Sequence, residues 1–454
     1  MSTTFALLRP SPGTRRAVVS PPRSLIRAFP VSRSPARMVV LKSFVAMGFV
    51  LVLVLASAIV AHAQNPNAEG GTNTALNTSG LEHHIQLKIR RGEVPCRGVN
   101  LGSWLVAEHW MSWSSPLWEG VPKDVSVQGE FATMKFLGQE RGDAAFERHW
   151  ATWITEDDFA KVASASFNTV RIPVGFWIRY DDPAASHREA YYPKGSLRYV
   201  DQAIQWGEKY NLAVLLSPHT HQGSQNGFQH SAPYDVGRAG WSASAANVQN
   251  SVELAAFLAA RYSSSPAFLG LGLMNEPSST TDPLVVRDYY QRAYAAVRSA
   301  VANGTASAAA VKNDCVLTVS PMLHSQDLNE LANFMVDAPG TVTPVYYNVW
   351  QEAHSYYLEK LGVGSEVLDA AKIFRANRVD ASHDKPLFVG EWSMQTATPL
   401  SSTERFREFG GVQLESYASA RAGWAFWSWH HSDEAIMRTG WSLRRLLKDG
   451  DLKL

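Results

Sequence analysis

Short apolar runs recur along the chain from residue 96 onward, and segments with helical spacing of apolar residues separate them. Near-continuous apolar runs are typical of strands that are buried on both faces, as in parallel sheets. Because eight such runs alternate with helical segments, the sequence predicts an α/β fold, specifically a (β/α)8 TIM barrel. The predicted strands cover residues 96–102, 168–174, 212–218, 268–274, 315–321, 345–350, 386–392 and 423–429.

An open, doubly wound sheet is the alternative arrangement of alternating strands and helices. Such a sheet usually has a glycine-rich phosphate-binding loop after its first strand. The corresponding segment here, VNLGSW (99–104), lacks that glycine pattern. The sequence therefore favours the barrel over the open sheet.

Helix signals occur in several segments between the predicted strands. Thr155 and Asp158 have the spacing of a capping box, in which the two side chains satisfy backbone groups at a helix start. Pro283 lies near the start of another segment, where proline is tolerated because its missing N–H is not needed. The predicted helical segments are 155–167, 282–301, 365–379 and 402–420.

Residues 1–63 differ in class from the rest of the chain. They contain eight arginine and lysine residues and no acidic residue, and a long uncharged apolar stretch follows Lys42. Small residues at Ala61 and Ala63 then provide the A-x-A spacing of a signal-peptidase site, so the segment predicts a cleaved secretory signal. Met38 begins a signal of normal length and is a candidate start. A retained signal-anchor is the alternative, because the apolar stretch approaches the length that spans a bilayer.

The segment between the leader and the first strand contains two different patterns. Residues 64–80 are polar, small and turn-rich, which is typical of a disordered linker. Residues 84–94, HIQLKIRRGEV, alternate in polarity and predict a short pair of strands. We therefore expect one ordered domain over residues 81–454.

Charge argues against one class of partner, and the cysteine spacing argues against two kinds of site. The whole chain has a net charge of +1 and the leader carries +8, so the remainder carries −7, which argues against nucleic acid as a partner. Cys96 and Cys315 form neither a zinc-ligand spacing nor a redox motif, and their pairing stays open. Asn77 and Asn303 begin glycosylation triplets, which fit an exported surface.

Polar and aromatic residues occur at or just after the ends of the predicted strands. In a barrel of this type, functional groups emerge at the C-terminal strand ends. An unpaired charge in a core is costly, so these residues predict one shared site rather than scattered core positions. They are Glu108, Arg171, His219, His221, Asn275, Glu276, His354, Tyr356, Glu391, Trp427 and Trp429.

Two glutamates give this predicted site its chemistry. Glu276 ends the fourth predicted strand and Glu391 ends the seventh, so the two can face each other across the mouth of an eight-stranded barrel. Two opposed carboxylates are the groups that cleave a glycosidic bond, one as acid and then base, the other as nucleophile or as base to water. Either glutamate alone could instead form an ion pair with Arg171. The chemistry requires no cofactor and no metal.

Seven motifs in order resemble those of glycoside hydrolase family 5, and more narrowly its exo-β-1,3-glucanase branch. The resemblance covers residues from about 94 to 440. Asn-Glu-Pro alone is a weak signal, whereas the ordered set is specific. The motifs are RGVNLGSWLVAEHW, NTVRIPVGFW, GSQNGF, LMNEP, HSYY, FVGEWS and GWAFWSW.

The resemblance implies a role for each matching residue. It makes Glu276 the acid/base and Glu391 the nucleophile of a retaining enzyme, with the carboxylates about 5–5.5 Å apart. It implies that the other residues bind the substrate or orient these two glutamates. These are Glu108, Arg171, His219, Phe228, Asn275, His354, Tyr356 and Trp427.

This chain departs from the family pattern on the side where the leaving sugar would bind. A Gly-Ala-Pro stretch is replaced by residues 220–222, THQ. The Asp and Asn that usually follow the NGF triplet are Gln229 and His230, and a phenylalanine expected near residue 359 is absent. Phe228 keeps one half of the expected aromatic clamp. These departures leave the chemistry in place and leave the linkage preference open.

Two function classes compete with a β-glucan hydrolase. His219 and His221 have the H-x-H spacing of a zinc site, which would make the chain a metal-dependent hydrolase, although such pairs typically lie on the first strand. A non-catalytic glucan-binding wall protein is the other class. Within the hydrolases, exo or endo attack and β-1,3, β-1,6 or mixed linkage stay open. The expected protein is extracellular or wall-associated and a monomer, with membrane attachment only through a retained leader.

Overall fold

The computed structural model describes residues 83–185, 190–300, 313–358, 365–435 and 439–454. The expected leader (1–63), the linker (64–80), Asn77 and Asn303 lie outside these ranges. No helix in the described ranges combines the length and apolar character that crossing a bilayer needs.

Eight parallel strands close into a barrel in chain order, and β1 pairs with β8 to complete the circle. The predicted TIM barrel is therefore confirmed. The strands are β1 Cys96–Asn100, β2 Thr169–Val174, β3 Ala213–Pro218, β4 Phe268–Gly272, β5 Val316–Val319, β6 Val349–Tyr357, β7 Leu387–Thr396 and β8 Gly423–Phe426. Every residue of β2 to β5 is buried, as expected for strands covered on both faces.

Most of the helices lie in the segments between the strands, while the first precedes β1 and the last follows β8. In chain order they are α1 Ile85–Arg90, α2 His109–Ser112, α3 Lys123–Ser126, α4 Glu130–Leu137, α5 Gln139–Trp153, α6 Glu156–Ser164, α7 Leu197–Tyr210, α8 Ala245–Tyr262, α9 Pro283–Ser299, α10 Ser365–Phe374, α11 Thr403–Tyr417 and α12 Leu443–Lys448. The main core lies between these helices and the outer face of the strands. A smaller apolar cluster fills part of the barrel interior.

The predicted capping box is present at the start of α6. The Thr155 backbone N–H donates to Asp158 Oδ2 over 2.9 Å, and both halves of the reciprocal pair are formed. Asp158 also accepts a bond from Trp429 Nε1 over 2.8 Å. One carboxylate therefore caps a helix and ties the chain that leaves β8 to it.

Two sequence predictions of secondary structure are wrong. Residues 84–94 were expected to form a strand pair, but they contain α1, which His84 caps by accepting the Gln86 N–H over 3.1 Å. The apolar residues Ile85 and Ile89 are four apart, so the same sequence fits a helix whose Ile89 packs against the barrel interior. The sixth strand was expected at 345–350 but runs from Val349 to Tyr357. The apolar pattern missed its later part because several residues there are polar although they are buried.

Both cysteines are free and buried in the structure. Burial raises the pKa of the Cys96 thiol to about 12 and that of Cys315 to about 11. Neither thiol is therefore a ready nucleophile at neutral pH.

Gly423 begins β8 at a point where the backbone leaves no room for a side chain. Its φ is +83°, and a Cβ built there would lie 2.0 Å from the Cys96 carbonyl oxygen. We expect Gly423→Ala to lower the free energy of unfolding by more than about 3 kcal/mol, since both strain and overlap at the β1–β8 closure are introduced. Chemical denaturation measures this loss. Gly411→Ala in α11, where nothing lies within 4 Å, is the control and should leave stability equal or raise it by up to about 1 kcal/mol.

Candidate active site

The two predicted glutamates face each other at the C-terminal end of the barrel. β4 ends at Gly272, and Asn275 and Glu276 lie just beyond it, whereas Glu391 lies within β7. One oxygen of each carboxylate and a nitrogen of His354 lie within 4.8 Å of one another. Glu276 has a φ of +49°, a left-handed conformation that non-glycine residues rarely adopt. Such strain is kept where the surrounding structure requires it, and it commonly marks functional positions.

Glu391 is held by donors on both of its oxygens. Arg171 Nη1 donates to Oε1 over 2.9 Å, and the Tyr356 hydroxyl donates to Oε2 over 2.7 Å. His219 Nε2 lies 3.4 Å from Oε1. Burial raises the pKa of Glu391, but the charge of His354, the hydrogen bond from His219 and the charge of Arg171 together lower it below its usual range. The carboxylate is therefore ionised and fixed in orientation.

Arg171 organises this side of the site from β2. Its guanidinium is buried and donates to Asn100 Oδ1 over 2.8 Å and to Asn275 Oδ1 over 3.0 Å, besides Glu391. Glu352 provides a second carboxylate, with its Oε1 2.8 Å from Arg171 Nη2. Burial raises the pKa of Glu352, but the charge of Arg171 and the hydrogen bond from His354 lower it to about 2. Arg171 is therefore neutralised by two carboxylates rather than by Glu391 alone.

Sequence reasoning did not identify Glu352. It lies in β6 two residues before His354 and four before Tyr356, and alternate residues of a strand face the same side. The placement of the sixth strand at 345–350 hid this spacing. With the strand correctly placed, the three polar residues at 352, 354 and 356 would have indicated one inward-facing row.

Glu276 has an imidazole at each oxygen. His354 Nδ1 lies 2.7 Å from Oε1, and His230 Nε2 lies 3.3 Å from Oε2. Burial raises the pKa of Glu276, but the hydrogen bonds from His230 and His354 outweigh it and hold that pKa well below its usual range. Burial lowers the pKa of His354, but the charge of Glu391 and the bond to Glu276 raise it to about 10. In the free site, the available proton therefore resides mainly on the histidine side of these pairs.

The cleft above the glutamates is walled by aromatic and polar side chains. Its lining consists of Glu108, Trp110, His219, Gln229, His230, Asn275, Glu276, Tyr356, Glu391, Trp427 and Trp441. Glu108 Oε2 accepts a hydrogen bond from Trp110 Nε1 over 2.8 Å, and burial raises the pKa of Glu108 to about 7. The Trp427 indole stacks on the His219 ring with centroids 5.6 Å apart. Flat apolar walls with polar edges suit a sugar ring.

The family resemblance implies ten site residues, and nine of them line the cleft or contact its two glutamates. The tenth, Phe228, is 49% exposed at the rim, with its ring centroid 5.8 Å from that of His230. Trp429, which was expected to join the site beside Trp427 after β8, is buried against Asp158 instead. Trp441 was not predicted, since it follows the last strand by fifteen residues and belongs to no motif.

The histidine pair considered for zinc does not converge. His221 is buried with Nδ1 2.8 Å from Ser251 Oγ, and its ring lies against Trp241 and Tyr289 rather than the cleft. Within the described ranges, the residues that could share a cation are instead Glu276, His354 and Glu391. The guanidinium of Arg171 already occupies an oxygen of Glu391, and a second cation there would be repelled. The arrangement fits a hydrogen-bonded carboxylate pair better than a metal centre.

Comparison with known proteins agrees with this geometry. The family described as Cellulase (glycosyl hydrolase family 5) matches residues 135–433. A glucan 1,3-beta-glucosidase from Pichia angusta is 30% identical over 77% of this chain and 84% of its own. A glucan endo-1,6-beta-glucosidase B from Emericella nidulans is 27% identical over 73% and 80%. The crystal structure of a rutinosidase from Aspergillus niger has a TM-score of 0.63 at 18% identity, covering 80% of this chain and 99% of that one, and shows a shared fold.

Proposed function

Because this chain belongs to glycosyl hydrolase family 5, we propose that it is a retaining glycosidase that releases glucose from β-1,3-glucan. The observation that carries the proposal is the pair of carboxylates with nearest oxygens within 4.8 Å. That separation supports the shorter spacing of retaining enzymes, about 5–5.5 Å, over the 6.5–9.5 Å that leaves room for an attacking water. The family and the relatives indicate a glycosidase, so the chain is not the non-catalytic glucan-binding protein considered above.

In the proposed first step, Glu391 attacks the anomeric carbon while Glu276 gives a proton to the departing glycosidic oxygen. Glu391 suits the nucleophile because its pKa is lowered and both of its oxygens are held by donors. Glu276 suits the acid because His354 and His230 place mobile protons at both of its oxygens. When a sugar displaces water from the cleft, the separated charges of a carboxylate–imidazolium pair lose solvation, which favours the neutral pair with the proton on Glu276.

In the proposed second step, Glu276 acts as a base instead of an acid, and Glu391 is the leaving group. Water enters where the leaving sugar was, and the now ionised Glu276 removes its proton as the oxygen attacks the anomeric carbon. The bond to Glu391 breaks, and that carboxylate returns to the donors on Arg171 and Tyr356. Two inversions at one carbon give net retention of configuration.

The other cleft residues support recognition of a single terminal glucose. Asn275 is oriented by Arg171 and lies next to the acid/base, where it would bond the 2-hydroxyl. Trp427 provides a flat floor, and Glu108 provides a buried acceptor for sugar hydroxyls. The half-exposed Phe228 would contact the leaving sugar at the rim. These roles are proposals from the contacts and the family resemblance together.

One relative is named for the 1,3 linkage and another for the 1,6 linkage, so the linkage that this protein cleaves is the property to measure. We expect the protein to release glucose from laminarin as the sole early product, in the β configuration. Chromatography and NMR of the first minutes of reaction measure both properties, and a linear β-1,6-glucan is the matched substrate. A ladder of oligosaccharides would contradict exo attack, and faster release from the β-1,6-glucan would contradict the linkage. We further propose an extracellular location, because residues 1–63 have the pattern expected of a secretory signal.

A further inference from the structure

His230 is a cleft residue at which this chain departs from the family pattern. It lies in a short 3-10 turn, Gln229–Ser231, on the loop that follows β3. Its Nε2 is 3.3 Å from Glu276 Oε2, and its side chain is 20% exposed, so it lies between the acid/base and the mouth of the cleft. Family resemblance predicts an asparagine at this position, which has no titratable group.

Asn226 controls which hydrogen bonds His230 can make. Its Oδ1 accepts the Phe228 N–H over 2.9 Å, and its Nδ2 donates to the Glu276 carbonyl oxygen over 3.1 Å. These two backbone contacts fix the amide so that Nδ2, a donor, also faces His230 Nε2 at 3.0 Å. The contact with Asn226 therefore favours an accepting His230 Nε2, which is a nitrogen that carries no proton.

Glu276 makes the opposite demand on the same nitrogen. An ionised Glu276 Oε2 accepts only, so it requires a proton on His230 Nε2, whereas a protonated Oε2 can itself donate to that nitrogen. The contact with Asn226 thus favours neutral His230 with the proton on Glu276. The contact with the Glu276 carboxylate favours charged His230 with Glu276 ionised. The two groups cannot change protonation state independently.

We propose that His230 is a positioning residue for the acid/base, which holds Glu276 Oε2 toward the leaving sugar and sets the pH range over which Glu276 carries the catalytic proton. This inference rests on the proposed function of Glu276. In this role His230 makes no bond to the substrate. It acts only through the carboxyl group of Glu276.

The charges around His230 determine the direction of the effect. Carboxylates face it from three elements: Glu108 after β1, Glu276 after β4 and Glu391 in β7, while the imidazoles of His219 and His354 complete the cluster. Burial lowers the pKa of His230, but the hydrogen bond and charge of Glu276 and the charges of Glu108 and Glu391 raise it. In return, His230 lowers the pKa of Glu276. Without His230, the pKa of Glu276 should rise, and protonated Glu276 should persist to higher pH.

His230→Asn tests the proposal, because it installs the side chain that the family pattern predicts. The basic limb of the kcat/KM profile reports the acid of the free enzyme, and we expect it to move up by about one pH unit, as for loss of a charge within 4–6 Å. The exposed His324→Asn is the control for a histidine replacement outside the cleft. A profile that superimposes on that of the unsubstituted protein, whatever the change in rate, would overturn the proposal. His230→Gln repeats the test if His230→Asn does not fold.

A titration of His230 itself separates this proposal from the proposed function. Histidine ring NMR signals of the full chain are followed against pH, and the signal missing in His230→Asn identifies His230. We expect Glu276→Gln to lower its midpoint by about one unit, because a neighbouring carboxylate is removed. An unchanged midpoint would disprove the link between the two groups even in a protein that hydrolyses β-glucan. A shifted midpoint in a protein that hydrolyses no glucan would disprove the proposed function alone.

Discussion

Replacing Glu391 with glutamine is expected to reduce hydrolysis of laminarin by at least about 10⁴-fold, or roughly 5.5 kcal/mol of transition-state stabilisation. The amide is neutral and cannot form the glycosyl ester through which the proposed double displacement proceeds. Glutamine keeps the shape of the side chain, its oxygen can accept from Arg171, and its NH2 group can donate to the Tyr356 hydroxyl oxygen, so the cleft should stay intact. Initial rates of glucose release measure the loss, and calorimetry with a laminari-oligosaccharide should show binding within about tenfold.

Glu415→Gln is the matched control for that experiment. Glu415 lies on α11 with its side chain 77% exposed, so the same chemical change there should leave the rate unaltered. Rapid release of glucose by Glu391→Gln would show that Glu391 is not the nucleophile. Loss of both turnover and binding would show that the substitution disturbs the cleft, and it would leave the assignment to covalent labelling. A fluorinated glucoside with a good leaving group should then attach to Glu391 of the unsubstituted protein.

The sequence predicted the barrel because its strands are buried on both faces. Runs such as 212–218 contain no polar residue until their end, so hydrophobicity alone located β3 and β4. Closure into a circle followed from the number of runs and the helices between them. The same criterion failed at β6, where Gln351, Glu352 and His354 are polar and buried, because a strand that lines an active site does not show the apolar pattern.

The α1 helix escaped prediction for a different reason. Its six residues alternate in polarity while also placing Ile85 and Ile89 four residues apart, and so short a segment fits both periods. What decides the outcome is the barrel itself. Ile89 fills the barrel interior beside Leu215 and Phe388, three chain segments that only the folded structure brings together.

The sequence could indicate which residues lie near one another where a residue ends a recognisable strand, but not where a contact depends on loop geometry. Glu276 and Glu391 were paired from strand order alone. His230 was visible only as a departure from a motif, because nothing in the sequence places the loop after β3 against the end of β4. The hydrogen bonds of Asn226 to Phe228 and to Glu276 make that placement, and they are tertiary contacts.

Glu276→Gly should separate the two proposed steps of the reaction. Glycine adopts the left-handed backbone of this position without strain, and it leaves space where the carboxyl group was. Hydrolysis of laminarin should fall by about 10³-fold, within the range of general acid–base catalysis, because the departing sugar oxygen needs a proton. A dinitrophenyl β-glucoside should lose far less in the first step, because its leaving group departs as a stable anion. Rates on the two substrates, measured side by side, give the ratio.

Azide completes the test of Glu276, because it attacks the glycosyl-enzyme without needing a base. With the activated glucoside, added azide should restore turnover of Glu276→Gly and yield β-glucosyl azide, whereas Glu391→Gln should gain no β-product. The pocket left by the carboxyl group lies between His354 and His230, whose positive charge favours an anion there. Equal losses on both substrates, with no effect of azide, would show that Glu276 is not the proton donor. The two carboxylates are distinguished by this contrast, since each substitution blocks a different bond-making event.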